Sequence, residues 1–214
     1  MQPYINIHTH HLSKDNDVFL FNNRFGFEKE HYLGPYFSIG VHPWDTELVK
    51  DSEIQNLKKL ALHPNCLAIG ECGLDTLCEA DYGIQKHVFK LQLQLALELK
   101  KPVIIHIVRD YDELQLMCKP FVQQIPIIIH GFNKSNEMAN QLLHQGFYLS
   151  ISSAFLNNHD VTTLPLKKIF LETDSKQHLS IVEVYDLASQ KLSLDKDILK
   201  EKIYSNFVSV FKVK

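Results

Sequence analysis

Apolar runs that end in a polar residue recur along the chain: Tyr4 to His10, Val18 to Phe21, Tyr36 to His42, Leu67 to Asp75, Pro102 to His106, Ile125 to His130, Phe147 to Ser152 and Ile169 to Asp174. Several are near-continuous Ile/Val/Leu stretches, the pattern of parallel strands buried on both faces. Helical periodicity fills most intervals. Asp51 to Leu62 follows the third run, Ile84 to Leu99 the fourth, with Ile84, Val88, Leu91, Leu95 and Leu99 on its apolar stripe, and Asp110 to Cys118 the fifth. After the sixth run, Ser135 is placed to cap a helix that buries Met138, Ala139, Leu142 and Leu143 and stops at Gly146. Ser180 and Glu183 have capping-box spacing, and Ser193 is read as the cap of a last helix running towards Phe211. Strand and helix alternate, so the fold class is α/β with a parallel sheet.

Eight such units predict a TIM-like (β/α)8 barrel, and 214 residues make it a shortened one, since such barrels take about 250 residues and about 200 at the least. The shortfall falls near the N-terminus. His11 to Ile39 must leave the first strand, supply the second and reach the third, whereas one strand-helix-strand unit alone takes roughly 30 residues. One or two outer helices are therefore expected to be missing or reduced there. With no repeat, low-complexity tract or linker, residues 1–214 read as a single domain.

Composition adds bounds. A 45% hydrophobic, 22% charged chain supports one well-filled core. It has no apolar run of the about 18 residues that a membrane span needs. Cys66, Cys72, Cys78 and Cys118 have no CxxC spacing; a soluble, untargeted, cytoplasmic protein is expected, without a zinc ribbon or an evident obligate protein partner. A formal charge of −3 argues against a large nonspecific nucleic-acid footprint.

The chemistry lies in what ends the strands. Side chains alternate on a strand, so Asn6, His8 and His10 share one face of the first run, and both imidazoles can reach one metal. Glu71, His106, His130 and Asp174 each end a further apolar run. In a barrel the C-terminal strand ends collect at one mouth, where function resides. Four His and two carboxylates suit zinc or manganese and are too nitrogen-rich for calcium. A carboxylate such as Glu71 can bridge two cations about 3.5 to 4 Å apart, the arrangement that serves phosphoryl hydrolysis. No Ser-His-Asp or Cys-His constellation competes. Asp75 reads as a group that supports a ligand or orders a loop, Phe19, Phe21, Phe25 and Phe27 as packing in place of the missing helices, and His31, His63, His87, His144, His159 and His178 as solvated.

At this point the chain resembles the TatD-type metal-dependent deoxyribonucleases and hydrolases, within the amidohydrolase-like barrels. The matching pieces are Asn6-Ile-His8-Thr-His10, Gly40-Val-His42-Pro43, Ile69-Gly70-Glu71-Cys-Gly73-Leu74-Asp75, Pro102-Val-Ile-Ile-His106, Ile129-His130-Gly131-Phe132, Gly146 to Ser152, Glu172-Thr173-Asp174-Ser175, and Asn206-Phe207 with Phe211. The resemblance implies two divalent ions, zinc, manganese or magnesium. His8, His10 and Asp174 would hold one, His106 and His130 the other, with Glu71 bridging. Asp174 would also orient or deprotonate water, and Glu71 and Asp174 together are its catalytic carboxylates. His42 would touch the substrate; Arg109, one residue later than in many relatives, and Lys176, a departure from the family, would put cations near the mouth as further contacts. Asn6 stands where the family often has an acid, and Lys176 replaces a usual proline.

These features point to a hydrolase of phosphodiester bonds, with DNA or another phosphodiester as partner and no membrane. An ester, amide or aminoacyl hydrolase on the same site is the rival enzyme, because fold does not settle function. A noncatalytic metal-binding protein is the third reading.

Overall fold

A computed structural model describes residues 2–12, 17–25, 35–176 and 179–213. Eight strands form one sheet in chain order: β1 (Tyr4–Thr9), β2 (Asp17–Arg24), β3 (Phe37–Gly40), β4 (Cys66–Asp75), β5 (Val103–Val108), β6 (Ile127–Ile129), β7 (Tyr148–Ile151) and β8 (Ile169–Leu171). The pairings β1 with β2, β3 with β4, β4 with β5 and β7 with β8 are parallel. Every apolar run of the sequence became a strand. The helices are α1 (Ile54–Ala61), α2 (Tyr82–Leu99), α3 (Tyr111–Cys118), α4 (Asn136–Gln145), α5 (Ser153–Asn158), α6 (Ile181–Leu192) and α7 (Lys196–Phe211).

The chain packs as two compact units, residues 22–128 and residues 1–21 with 129–214, each with its own core. In the first, β4 is central and α2 covers it. The inward stripe of α2 is Gln85, Val88, Phe89, Gln92, Leu93, Leu95 and Ala96, while Ile84 is exposed. The predicted stripe is thus rotated, because two glutamines finish strand ends. Gln92 accepts from Val41 N and donates to Val41 O, at 2.8 and 3.0 Å. Gln85 does the same for Asp75, at 2.8 and 3.1 Å. Buried backbone polar groups must find partners, and these glutamines fix the segments that lead into His42 and out of Glu71.

In the second unit, β1 is nearly all buried and meets α6 and α7. The Tyr185 hydroxyl of α6 accepts from Ile5 N at 3.1 Å. α7 buries Leu199, Ile203, Phe207 and Phe211, close to helical spacing; each contributes roughly 1.5–3 kcal/mol through burial. Asn206 donates to Leu166 O and Ile169 O, pinning α7 to the start of β8.

Caps at Ser135, Gly146 and the Ser180/Glu183 box match the sequence, whereas Asp110, read as the start of its helix, is the N-cap of α3. Ser193 does not match. It closes α6 in the left-handed conformation, φ 50°, and Asp195 caps α7 by accepting from Asp197 N and Ile198 N. An aspartate two residues on offers the better-placed acceptor. Other corrections concern extents: α1 starts at Ile54 after a 3-10 turn at Asp51–Glu53, β2 runs beyond Phe21 to Arg24, and α5 and the 3-10 helix Pro43–Leu48 were not foreseen. His63 and His159 are half-buried against Phe37 and Phe155, 5.6 and 4.7 Å between ring centres, and are not simply solvated. Phe19 and Phe25 are core residues. Phe27, His31, His178 and most of the segments where outer helices were expected to be reduced lie outside the described residues.

Candidate metal centre

β1 and β8 build the first ligand group. Asp174 N donates to His8 O at 3.1 Å and His10 N to Asp174 O at 3.2 Å, so the strand pairing itself brackets Asp174 between the two histidines. Period-2 alternation then aims both imidazoles at one carboxylate oxygen: His8 Nε2 is 3.6 Å and His10 Nε2 3.4 Å from Asp174 Oδ1. Asp174 leaves the strand geometry at φ 54°, which turns its side chain off the β8 edge. His8 is fully buried, whereas His10 and Asp174 are about one-third exposed, at 29% and 35%. The group is buried on the His8 side and open to solvent on the other.

Asn6, where an acid is usual, is buried and uses both ends of its amide. Nδ2 donates to Thr173 Oγ1 at 2.9 Å and Oδ1 accepts from Thr173 N at 3.2 Å. It therefore holds the residue before Asp174. His130, just after β6, lies with its ring centre 4.1 Å from that of His8. Its Nδ1 is 3.6 Å from Glu172 Oε1, which also accepts from Gly131 N at 2.7 Å.

The second group forms around β4 and β5 in the other unit. Glu71 is 3% exposed, and its Oε1 lies 2.8 Å from His106 Nδ1 and 3.3 Å from His42 Nε2. Asn22, on the part of β2 that the sequence pattern did not reach, clamps it twice. Asn22 Nδ2 donates to Glu71 Oε2 at 2.8 Å, and Asn22 Oδ1 accepts from Glu71 N at 3.0 Å. Gly73 pairs with His106 across the ladder so closely that a Cβ there would stand 2.0 Å from His106 O.

Asp75 has both contacts expected of it, one to a loop amide and one to a candidate ligand. Its Oδ1 accepts from Leu77 N at 2.8 Å, and its Oδ2 accepts from Trp44 Nε1 at 2.7 Å and faces His106 Nε2 at 3.4 Å. Burial works against its charge, but the indole, the Leu77 amide and His106 outweigh it and hold the carboxyl below the ordinary range. A carboxylate behind the far nitrogen of a histidine is the usual way a ligand imidazole is oriented. His42 differs from His106. Its Nδ1 accepts from Trp44 N at 3.2 Å, so the neutral ring carries its proton on Nε2 and offers Glu71 a donor.

Ligand atoms of His8, His10 and Asp174 all lie within 4.8 Å of one another, as do those of His42, Glu71 and His106. Both sets are nitrogen and carboxylate oxygen, which fits a divalent transition ion or magnesium. Thiolates do not compete: burial pushes the Cys66 thiol up to about 11, and Cys72 and Cys118 upwards too. Arg109 is exposed at φ 77° after β5 and Lys176 half-exposed after β8; among the described contacts neither side chain joins a ligand group. Asn22, Trp44 and Glu172 were missed as site residues. A pair of polar residues ending the β2 run, Asn22-Asn23, was the available signal.

The chain resembles known proteins throughout. A 3'-5' ssDNA/RNA exonuclease TatD from Cronobacter turicensis is 30% identical over 158 residues, 67% of this chain and 58% of that protein. The 3'-5' RNA nuclease TATDN2 of Homo sapiens is 35% identical over 154 residues, 66% of this chain and 20% of the human protein. The chain thus aligns with less than two thirds of the length of these curated relatives. The crystal structure of YJJV, a TatD homologue from Escherichia coli K12, superposes with a TM-score of 0.83 at 20% identity, covering 99% of this chain and 98% of that one. That likeness shows the fold to be the TIM-like α/β class expected from the strand pattern. The profile of the TatD related DNase family matches residues 20–212, and the chain belongs to that family.

Proposed function

We propose that the chain is a metal-dependent hydrolase of phosphodiester bonds in single-stranded nucleic acid. The observation that carries this reading is the His8, His10 and Asp174 donor set, with its ligand atoms within 4.8 Å of one another, together with Glu71 Oε1 2.8 Å from His106 Nδ1. His8, His10 and Asp174, with His130 beside His8, would hold one divalent ion; Glu71 and His106 would hold a second. Divalent cations at such positions polarise a phosphoryl oxygen and lower the pKa of water towards neutrality.

The chain's own groups do the rest. Asp174 is the partly exposed carboxylate of its group, and it would accept a proton from the attacking water. With a cation on Nδ1, His106 would carry its proton on Nε2, where Asp75 stands 3.4 Å away to accept it. His42, with its proton on Nε2 facing Glu71, would act as a donor rather than a ligand, and would turn that N–H to a phosphate oxygen once Glu71 holds a cation. Names of relatives support nucleic acid as the substrate class: one acts on ssDNA and RNA, another on RNA.

Metal analysis of the purified protein, paired with cleavage of single-stranded DNA and RNA by wild type and Glu71→Ala, tests this. The variant is expected to lose bound metal and more than about 100-fold in activity. Cleavage of carboxylic esters or amides with single-stranded nucleic acid left intact would overturn the substrate class, and unchanged metal content in Glu71→Ala would overturn the ligand role.

A further inference from the structure

We propose that Trp44 is a stacking platform for an unpaired nucleobase, set beside the Glu71 and His106 group. The inference rests on the nuclease reading and adds a recognition element to it.

Trp44 is the only tryptophan in the chain and is 55% exposed. Exposure alone says little, since single exposed apolar residues are common. What distinguishes this indole is that it is both exposed and fixed. It sits one residue into the 3-10 helix Pro43–Leu48, directly after His42, where Pro43 presets the backbone and Asp45 N donates to His42 O at 2.9 Å. Its Nε1–H, the only donor an indole has, is committed to buried Asp75 at 2.7 Å. The polar edge is turned inward, and what remains exposed is aromatic carbon.

Its neighbours place it at the reacting group. The ring is edge-on to His42, 4.8 Å between centres, and edge-on to His106 at 6.3 Å. His42 is the donor assigned above to a phosphate oxygen, and a base hangs a few ångströms from its phosphate. Leu77, 59% exposed, binds the same Asp75 carboxylate through its amide. A ring already held in one orientation loses little freedom when a base stacks on it.

Charge points the same way. A formal charge of −3 leaves little general attraction for a polyanion away from the site's cations, so contacts to bases would add to the hold on phosphates. Stacking on an aromatic side chain is sequence-tolerant, because every base has a π-face, and contributes about 5- to 150-fold in affinity per base. The predicted preference is for single strands of any sequence over duplex.

The sole tryptophan makes the test direct. The purified protein is titrated with a short single-stranded oligonucleotide carrying cleavage-resistant phosphorothioate linkages, and with the same oligonucleotide made abasic at its terminal nucleotides. Indole fluorescence and the anisotropy of a label on the oligonucleotide are read together. The base-bearing strand should quench the indole in step with binding, and the abasic strand should bind about 5- to 150-fold more weakly with little quenching. Trp44→Phe should keep part of that preference and Trp44→Ala should abolish it, in samples with wild-type circular dichroism. Binding without quenching, or equal affinity for base-bearing and abasic strands in wild type, overturns the platform and leaves the nuclease reading standing. Failure to bind or cleave any single strand overturns both.

Discussion

Removing Asn22 isolates the contribution of one buried amide to the candidate metal centre. Its Nδ2–H bond to Glu71 Oε2, 2.8 Å long, is charge-assisted, and its Oδ1 satisfies Glu71 N at 3.0 Å. A hydrogen bond to a charged group contributes about 1.5–3 kcal/mol and a neutral one about 0.5–1.5. Glu71 is 3% exposed, so water cannot readily replace the lost partners. Asn22→Ala should therefore destabilise the fold by roughly 2–4 kcal/mol, which for a chain of this size lowers Tm by roughly 4–16 °C. Metal affinity should also fall, by about 10- to 100-fold, because the glutamate is no longer held towards His106. Thermal unfolding in EDTA reads the first effect without metal linkage, and calorimetric titration with manganese or zinc reads the second. Wild-type metal affinity in Asn22→Ala would refute the clamp, as would a loss in Tm below about 2 °C in EDTA.

Two further outcomes follow from the geometry. Gly73→Ala would place a Cβ 2.0 Å from His106 O, at a φ of 146° that side chains rarely adopt, so β4 and β5 must separate. A loss of about 3 kcal/mol or more is expected, and unfolding at the wild-type temperature would show that the ladder yields freely there. Asp110 caps α3 and accepts from the Tyr82 hydroxyl at 2.7 Å, and that bond, with the Glu113 amide, holds its carboxyl below the ordinary range. A carboxyl depressed by folding stabilises above its unfolded value of about 3.9, and the benefit is lost as pH falls through the lower folded value. Asn also caps well. Asp110→Asn should thus be less stable by under about 1 kcal/mol at neutral pH, given the screening at this partly exposed site, with the gap closing below about pH 4. A gap that widens on acidification would contradict that sign.

Features that depend on local order were legible in the chain itself. Strands buried on both faces must be apolar throughout, so eight runs were visible, and the polar residues at or near the ends of five of them stood out as His8 with His10, Glu71, His106, His130 and Asp174. Caps at Ser135 and Ser180 were legible because a helix N-terminus needs its acceptor within a few residues. The remaining features came from long-range packing, because the partners lie far apart in the chain. Asn22 reaches Glu71 across 49 positions, Asn6 reaches Thr173 across 167, and Trp44 reaches Asp75 across 31. An amide or an indole has no periodicity to betray which buried group it will satisfy; only the packed strands bring donor and acceptor together. For the same reason Gln85 and Gln92 could turn the inner face of α2 away from the hydrophobic stripe, since two strand ends needed hydrogen bonds more than the helix needed Ile84 inside.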